Sequence, residues 1–446
     1  MAKRLVVIGG VAAGMSAASK ARRTDKDMEI IVYEQTGNVS YGSCGLPYFV
    51  KGEIPRIEDV IVRRPADFAK QNIQALVRHQ VLRIDPVEHT VLVHNLETGE
   101  EFRDEWDRLI ISAGGGATRP PLPGLNLNGI FTLRNVEDAV AVRAWIDQQQ
   151  PRHAVIVGGG YIGLEMAEAL AEHGIQVTVV EMLPQVMANM DADMAAHIQS
   201  ELERQNVDLR LECAVKSFEG DERVRAVVAG GDTIPADIVI FSVGIKPNAS
   251  LATEAGIAVG QTGAIAVDDH QRTSMEHVWA AGDVAEALDL VTGKPTYVPL
   301  GTTANKQGRV AGENAAGGDA SFSGIVSTAV VKVFDAHAAR TGLSERQARA
   351  NGFDVETVTA QGSARAHYMP HHPPIHVKLV FERGSQRLLG GQMVGTEGVA
   401  KRIDVIAAAL HAKWTTYDLA KLDLSYAPPF APVWDPILVA ANLANR

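Results

Sequence analysis

An α/β chain with two parallel-sheet units of one plan and a C-terminal α+β domain is what this sequence predicts, and three observations predict it. A strand, glycine turn, helix and second strand open the chain at "LVVIGGVAAG", Leu5 to Gly14. The same pattern returns at "HAVIVGGGYIGLEMAEAL", beginning at His153. After about residue 325 it gives way to the alternating runs "STAVVKVF" and "HVKLVF" and the helical stretch "AKRIDVIAAALHA". With 446 residues, 46% of them hydrophobic, the chain can bury two or three separate cores.

The first unit begins with Leu5 to Ile8, a continuous apolar run of the kind that forms a strand buried on both faces. Gly9, Gly10, Ala13 and Gly14 make the turn, "MSAASKARR" continues as helix, and "EIIVYE" ends at Glu34, twenty residues beyond Gly14. In the second unit Gly158, Gly160 and Gly163 have full GxGxxG spacing, Tyr161 and Ile162 open the helix, and "VTVVE" ends at Glu181, eighteen residues beyond Gly163. Such glycines let a backbone approach a pyrophosphate at a helix N-terminus, and the acid ending the next strand accepts from ribose hydroxyls. Both units therefore read as Rossmann-like and dinucleotide-binding, although Val11 stands where the first copy should have its second glycine.

Further turns join these sites. "HVWAAGDVAE" runs a short strand into a turn where Asp283 is placed to bond a ribityl or phosphate-linked hydroxyl; alone, it would read as a helix cap. Ala113 and Gly114 in "ISAGG" belong with the first site, and Gly244 in "FSVGIKP" with the second. Two dinucleotide sites in one chain point to a flavin and a nicotinamide exchanging a hydride.

Composition excludes other classes. A formal net charge of -11 argues against a general nucleic-acid binder. Two cysteines make no disulfide framework, so a reducing, cytoplasmic setting is expected. Lys3 and Arg4 before "LVVIGGVAAGMSAA" imitate a secretory signal, but the strand, turn and helix already account for that run. No apolar run is long enough to span a membrane, and no metal ligand set is expected.

The order of these motifs resembles the pyridine nucleotide-disulfide oxidoreductase family over essentially the whole chain. The resemblance implies FAD in the first site, NAD(P)H in the second and a C-terminal dimerisation domain. Expected boundaries are about 1–113 and 247–325 for the FAD-binding domain, 114–246 for the NAD(P)H-binding domain and 326–446 for the interface domain.

"SYGSCGLPY", Ser40 to Tyr48, sets Cys44 among turn residues, with Pro47 suited to the first turn of a following helix. That places the thiol just ahead of a positive helix end, where a thiolate is expected to be stabilised. Cys213, in "LRLECAVKSF", reads as a packed residue in a strand. Most of the wider family carries two cysteines four residues apart, whereas this stretch resembles the single-cysteine branch of coenzyme A disulfide reductases, NADH-dependent persulfide reductases, and NADH oxidases and peroxidases. Oxidases and peroxidases carry a histidine in the first glycine loop, and this loop reads Val11-Ala12-Ala13.

"LSYAPPF" and "AHYMPHH" resemble runs that, in the coenzyme A and persulfide reductases, send tyrosines into the neighbouring subunit's site, so Tyr426 and Tyr368 are expected there in a homodimer. Met369 stands where relatives often have another tyrosine. Ser16, Lys20 and Arg23 fall on one face of the first helix and could grip coenzyme A phosphates, with Ser40 and Ser43 beside the pantetheine arm. A solvated basic face is the ordinary alternative.

The expected reaction is reduction of coenzyme A disulfide, or of a persulfide or polysulfide, by NADH through FAD and a mixed disulfide on Cys44. NADPH is possible, but Glu181 favours NADH by repelling a 2′-phosphate. Some persulfide reductases append a rhodanese-like domain; the sequence ending at Arg446 without one tilts the expectation slightly towards the disulfide. Two rivals stay open: an NADH oxidase or peroxidase working through a Cys44 sulfenic acid, and a flavoprotein passing electrons to a protein partner.

Overall fold

Unbroken apolar strands such as Leu5 to Ile8 need cover on both faces, and they find it in two parallel sheets. The structure, a computed structural model, describes residues 3–446. The first sheet orders Val278–Ala280, Arg108–Ile111, Arg4–Ile8, Glu29–Tyr33 and Ile73–Leu76, every pairing parallel. The second orders Asp208–Arg210, Gln176–Val180, His153–Val157, Ile238–Phe241 and Ile130–Phe131, again all parallel. In each, the strand that opens the glycine motif lies at the centre, and Val6, Val7, Val155 and Ile156 are fully buried. The chain leaves the first sheet after Ile111 and re-enters it at Val278.

The C-terminal part is α+β. Five antiparallel strands run in the order Ala329–Val333, Ala336–Gly342, Leu388–Gly395, Pro374–Glu382 and Val355–Ser363. Ile403, Ile406 and Leu410 of the Val399–His411 helix and Ile437 of the Pro436–Ala444 helix share their core. A three-stranded meander, His79–Asp85, Thr90–Asn95 and Glu101–Glu105, supplements the first unit.

The alanines of "MSAASKARR" have a packing reason. The Ala12–Thr24 helix lies against the Gly301–Ala315 helix at backbone contact. A Cβ on Gly308 would stand 2.2 Å from the Ala13 carbonyl oxygen, and one on Gly312 2.1 Å from that of Ala17. Only glycine on one side and small residues on the other permit this approach, which aligns the first helix behind its glycine turn.

One expectation changes. Cys213 lies not in a strand but in the link between Asp208–Arg210 and Val215–Gly220, where its N–H donates to the Glu181 carbonyl at 2.9 Å and its side chain packs on the second unit's core. A bend at Glu212, with φ of +50°, ends the apolar run early.

Gly308→Val forces the two helices apart. Overpacking of this kind costs about 1–3 kcal/mol, so the variant is expected to melt earlier and retain less flavin than Gly308→Ala, which should itself fall below wild type. Thermal melts and the flavin-to-protein absorbance ratio check this; wild-type values for both variants would show that the helices separate freely.

Candidate active site

The two glycine turns are built alike. Gly9 and Gly158 take φ of +94° and +107°, and a Cβ on them would stand 2.2 Å from the Ser112 carbonyl oxygen and 2.6 Å from that of Ser242. A Cβ on Gly14 or Gly163 would come within 1.8 Å or 2.0 Å of the Gly9 or Gly158 carbonyl oxygen. Ser112 Oγ donates to the Ile8 and Gly9 carbonyls, and Ser242 Oγ to those of Val157 and Gly158.

The first and third glycines are thus demanded by the fold itself. Gly160 differs, because a Cβ there meets nothing within 4 Å, and the first copy holds Val11 at the same place. The chain gives no internal reason for glycine at 160, whereas a closely approaching pyrophosphate would. The residues present therefore fit a dinucleotide.

An acid closes each turn. Glu34, buried, accepts from the Gly10 N–H at 2.7 Å and the Thr36 N–H at 2.8 Å. Glu181 accepts from the Gly159 N–H at 2.7 Å and the Leu183 N–H at 2.9 Å. Each carboxylate oxygen can accept a further bond, so a ribose diol remains within their capacity.

A cleft of 1770 Å³ connects the units. Gly9, Val11, Ala13, Glu34, Ala113, Gly114 and Asp283 line it from the first unit, and Tyr161, Ile162 and Glu165 from the second. Ser43, Cys44, Pro47 and Tyr48 enter from the cysteine turn. Gly10, Gly14, Ser16, Lys20, Arg23, Ser40, Gly158, Gly160, Gly163, Glu181 and Gly244 stand outside its lining. Gly244, at φ +112°, turns the chain between Ile238–Phe241 and Ile245–Pro247. Asp283 caps no helix; it occupies the turn after Val278–Ala280.

Cys44 sits in a single 3₁₀ turn, Ser43–Gly45, leading straight into the Leu46–Lys51 helix with Pro47 in its first turn. The thiol is exposed to the cleft. Its surroundings nonetheless oppose ionisation: crowding by the cleft walls pushes its pKa up, the Glu165 and Asp283 carboxylates add to this, and the Arg134 guanidinium acts against it. The thiol thus meets an environment that raises its pKa, through burial first and the two carboxylates second, where the helix end had suggested a stabilised thiolate. Glu165 is itself pushed up to about 7 by burial and by the charge of Glu168.

Sequence reading missed Arg134 and Glu165. Arg134 donates to the Gly115 carbonyl at 2.7 Å and stands 3.7 Å from Asp283. Nothing around it in "TLRNVEDA" marks it. Glu165 had a signal, since Glu165 and Glu168 are carboxylates three apart in the otherwise apolar "YIGLEMAEAL".

Tyr368 and Tyr426 come together outside this cleft. Their hydroxyls are 2.7 Å apart, and the side chains are 61% and 46% exposed, beside exposed Phe430 and Trp434. Arg402, paired with Asp435 at 2.7 Å, holds the segment by donating to the Ala364 and Phe430 carbonyls. No helix or strand interrupts it between Ala420 and Pro436. The basic face of the first helix is partly engaged: Ser16 Oγ donates to Asn305 Oδ1 at 2.6 Å and Lys20 pairs with Glu313 at 2.8 Å, leaving Arg23 exposed.

The family profile of pyridine nucleotide-disulphide oxidoreductases matches residues 3–308. The chain belongs to this family. Its dimerisation-domain profile matches residues 328–436, which span the antiparallel sheet and the Val399–His411 helix. The pyridine nucleotide-disulphide oxidoreductases similar to this chain include the NAD(P)H coenzyme A polysulfide/persulfide reductase of Pyrococcus horikoshii, 41% identical over 444 residues, covering 99% of this chain and 98% of that one. The coenzyme A disulfide reductase of Staphylococcus haemolyticus is 34% identical over 431 residues, 96% of each chain. The structure of an NAD-dependent persulfide reductase from A. fulgidus superposes with a TM-score of 0.96 at 42% identity, covering 99% of this chain and 83% of that one. FAD and a nicotinamide nucleotide, the cofactors of the family, fit the two turns, and a homodimer fits its second domain. Among the described residues no helix is long and apolar enough to cross a membrane.

The charges around Cys44 predict a titration. Glu165→Gln removes the larger of the two carboxylate repulsions and should move the midpoint of iodoacetamide alkylation of the reduced protein to lower pH, whereas Arg134→Met should move it higher. Opposite or absent shifts would show that other groups set the thiol's acidity.

Proposed function

We propose that the protein is an FAD-dependent NADH:disulfide oxidoreductase that reduces coenzyme A disulfide, or a coenzyme A persulfide or polysulfide, through Cys44. One observation carries this reading: Cys44 is the only cysteine in a cleft reached by both dinucleotide motifs, and Cys213, the other thiol of the chain, packs in the second unit. With no neighbouring cysteine to close an internal disulfide, the sulfur cycles through a mixed disulfide, a persulfide or a sulfenic acid, and the first two are the ones this reading takes. The names of the relatives point the same way.

In this reading residues 1–113 and 247–325 hold FAD, 114–246 hold NADH and 326–446 join two subunits. The FAD residues are Gly9, Gly10, Ala13, Gly14, Glu34, Ala113, Gly114 and Asp283; those for NADH are Gly158, Gly160, Tyr161, Ile162, Gly163, Glu181 and Gly244. Glu181 favours NADH over NADPH. Ser40 and Ser43 flank the pantetheine arm, and Ser16, Lys20 and Arg23 meet the phosphates, with Lys20 shared between phosphate and Glu313. A reducing cytoplasm suits the free thiol.

FAD, when bound, relays two electrons from the nicotinamide to sulfur. Cys44 Sγ attacks one sulfur of CoA-S-S-CoA, forming a Cys44–CoA mixed disulfide and releasing one coenzyme A thiolate, which takes a proton from Tyr426 of the partner subunit. Two electrons then cleave the mixed disulfide, freeing the second coenzyme A and restoring the Cys44 thiolate. Surroundings that disfavour a free thiolate favour its storage as the mixed disulfide. The pairing of Tyr368 with Tyr426 supports a common role, and their absence from the Cys44 cleft lining supports delivery across the dimer.

Anaerobic NADH turnover with coenzyme A disulfide, coenzyme A persulfide, polysulfide and peroxide in parallel tests the reading. Cys44→Ser should keep FAD and its reduction by NADH but lose disulfide reduction, and mass spectrometry of the untreated protein should find coenzyme A on Cys44. Full disulfide turnover by the serine variant would sink the mechanism; rapid turnover with oxygen alone would favour an oxidase.

Mixed dimers test the shared site. Tyr426→Phe and Cys44→Ser homodimers should each be nearly inactive, while refolding them together with FAD rebuilds one intact site of two and should restore substantial activity. No recovery in demonstrated mixed dimers would place both residues in one chain's site.

A further inference from the structure

Three side chains stand in one row across the C-terminal sheet, on the face turned to the second unit. Arg340 pairs with Gln392, and Gln392 with Lys378, on adjacent strands; they are 8%, 1% and 5% exposed. Gln392 grips Asp191 at two points: its Oε1 accepts from the Asp191 N–H at 2.8 Å, and its Nε2 donates to Asp191 Oδ2 at 2.6 Å. The Glu345 N–H donates to the same carboxylate oxygen at 3.1 Å, and Arg346 donates to the Ala188 carbonyl at 2.6 Å. The segment Gln185 to Asp191 is therefore held by the C-terminal domain at two points, Ala188 and Asp191.

The other side of that segment bears on the second glycine turn. The Met187 N–H donates to the Gly159 carbonyl at 2.8 Å, and Val186 Cγ1 would stand 2.8 Å from a Cβ on Gly159. Asn189 Nδ2 donates to the Tyr161 hydroxyl at 3.0 Å. Met187 holds φ of +49°, a conformation that persists when contacts on both sides impose it. Tyr161 opens the helix of the second motif and lines the cleft, so a nicotinamide reaching from that turn into the cleft must pass it.

We propose that Gln392 is a positioning residue for the nicotinamide site: through Gln185 to Asp191 it sets the second glycine turn and the tyrosine at its mouth. The C-terminal domain, described so far as a dimer interface, thereby fixes geometry needed for hydride transfer. The inference rests on reading the second motif as the NADH site and is independent of the sulfur substrate.

The test separates the two half-reactions of the FAD-loaded enzyme. Gln392→Leu removes both Gln392 hydrogen bonds to Asp191 and leaves it only the Glu345 N–H and the Lys378 ammonium at 3.4 Å. It should raise the KM for NADH about five- to tenfold, the scale of one ordinary hydrogen bond, and slow anaerobic flavin reduction by NADH. Reoxidation of dithionite-reduced enzyme by coenzyme A disulfide should stay within about twofold of wild type, because the Cys44 side is untouched. Asn189→Leu leaves the clamp intact, cuts its link to Tyr161 and should reproduce the NADH defect; it decides the matter if Gln392→Leu does not fold. Unchanged NADH kinetics in a folded Gln392→Leu protein, or in Asn189→Leu, would overturn the proposal, as would an equal fall in both half-reactions. NADH-ferricyanide activity reads the nicotinamide side alone, so a failure of the coenzyme A reading leaves this result interpretable.

Discussion

A buried carboxylate ties the three parts of this molecule together. Glu168, 5% exposed, accepts from Lys51 at 2.8 Å, from Lys332 at 2.6 Å and from the Phe334 N–H at 2.7 Å. Lys51 ends the helix that follows Cys44, Glu168 lies in the helix of the second glycine motif, and Lys332 and Phe334 belong to the C-terminal domain. Only the carboxylate is deeply buried, and with two lysines and a backbone N–H on it the loss of any one donor leaves its charge partly compensated. The same junction shapes the chemistry, since the charge of Glu168 raises the neighbouring Glu165, which in turn faces the thiol.

Duplication of the glycine turn separates two causes of conservation in form. Where both copies carry glycine, at Gly9 and Gly158 and at Gly14 and Gly163, a Cβ would strike backbone, so the fold is sufficient cause. Where they differ, Val11 packs against a core cluster, whereas Gly160 has open space around its Cβ position and takes no such constraint from the protein. The closing acids Glu34 and Glu181 serve both ends, fixing the turn through backbone N–H groups while facing the place a ribose would occupy.

In the proposed reaction Cys44 spends part of the cycle as a neutral mixed disulfide, and its environment is compatible with that. A cysteine held as a persistent thiolate would sit near cations; Cys44 instead has two carboxylates and one guanidinium as its charged neighbours. Such a site weakens the free thiolate relative to a neutral disulfide.

By itself the sequence determined the two parallel-sheet units, the α+β third domain and the family, and it singled out Cys44 as a candidate. These are local patterns: apolar strands, glycines at fixed spacing and an acid at the strand's end are each imposed within some thirty residues. It also marked Tyr426 and Tyr368, fifty-eight residues apart, though not their hydroxyl contact. Tertiary structure alone decided the rest. Arg134 and Glu165 converge on Cys44 from segments about 90 and 120 residues away, so no spacing rule could pair them. The upward shift of the thiol comes first from its burial in the folded cleft and only then from these charges, neither of which a helix end read from sequence could weigh. Gln392 and Asp191 lie 201 residues apart and meet only because a sheet of one domain docks on a loop of another. Local chemistry is written along the chain, whereas charge balance and domain contact are sums over everything the fold brings within a few ångströms.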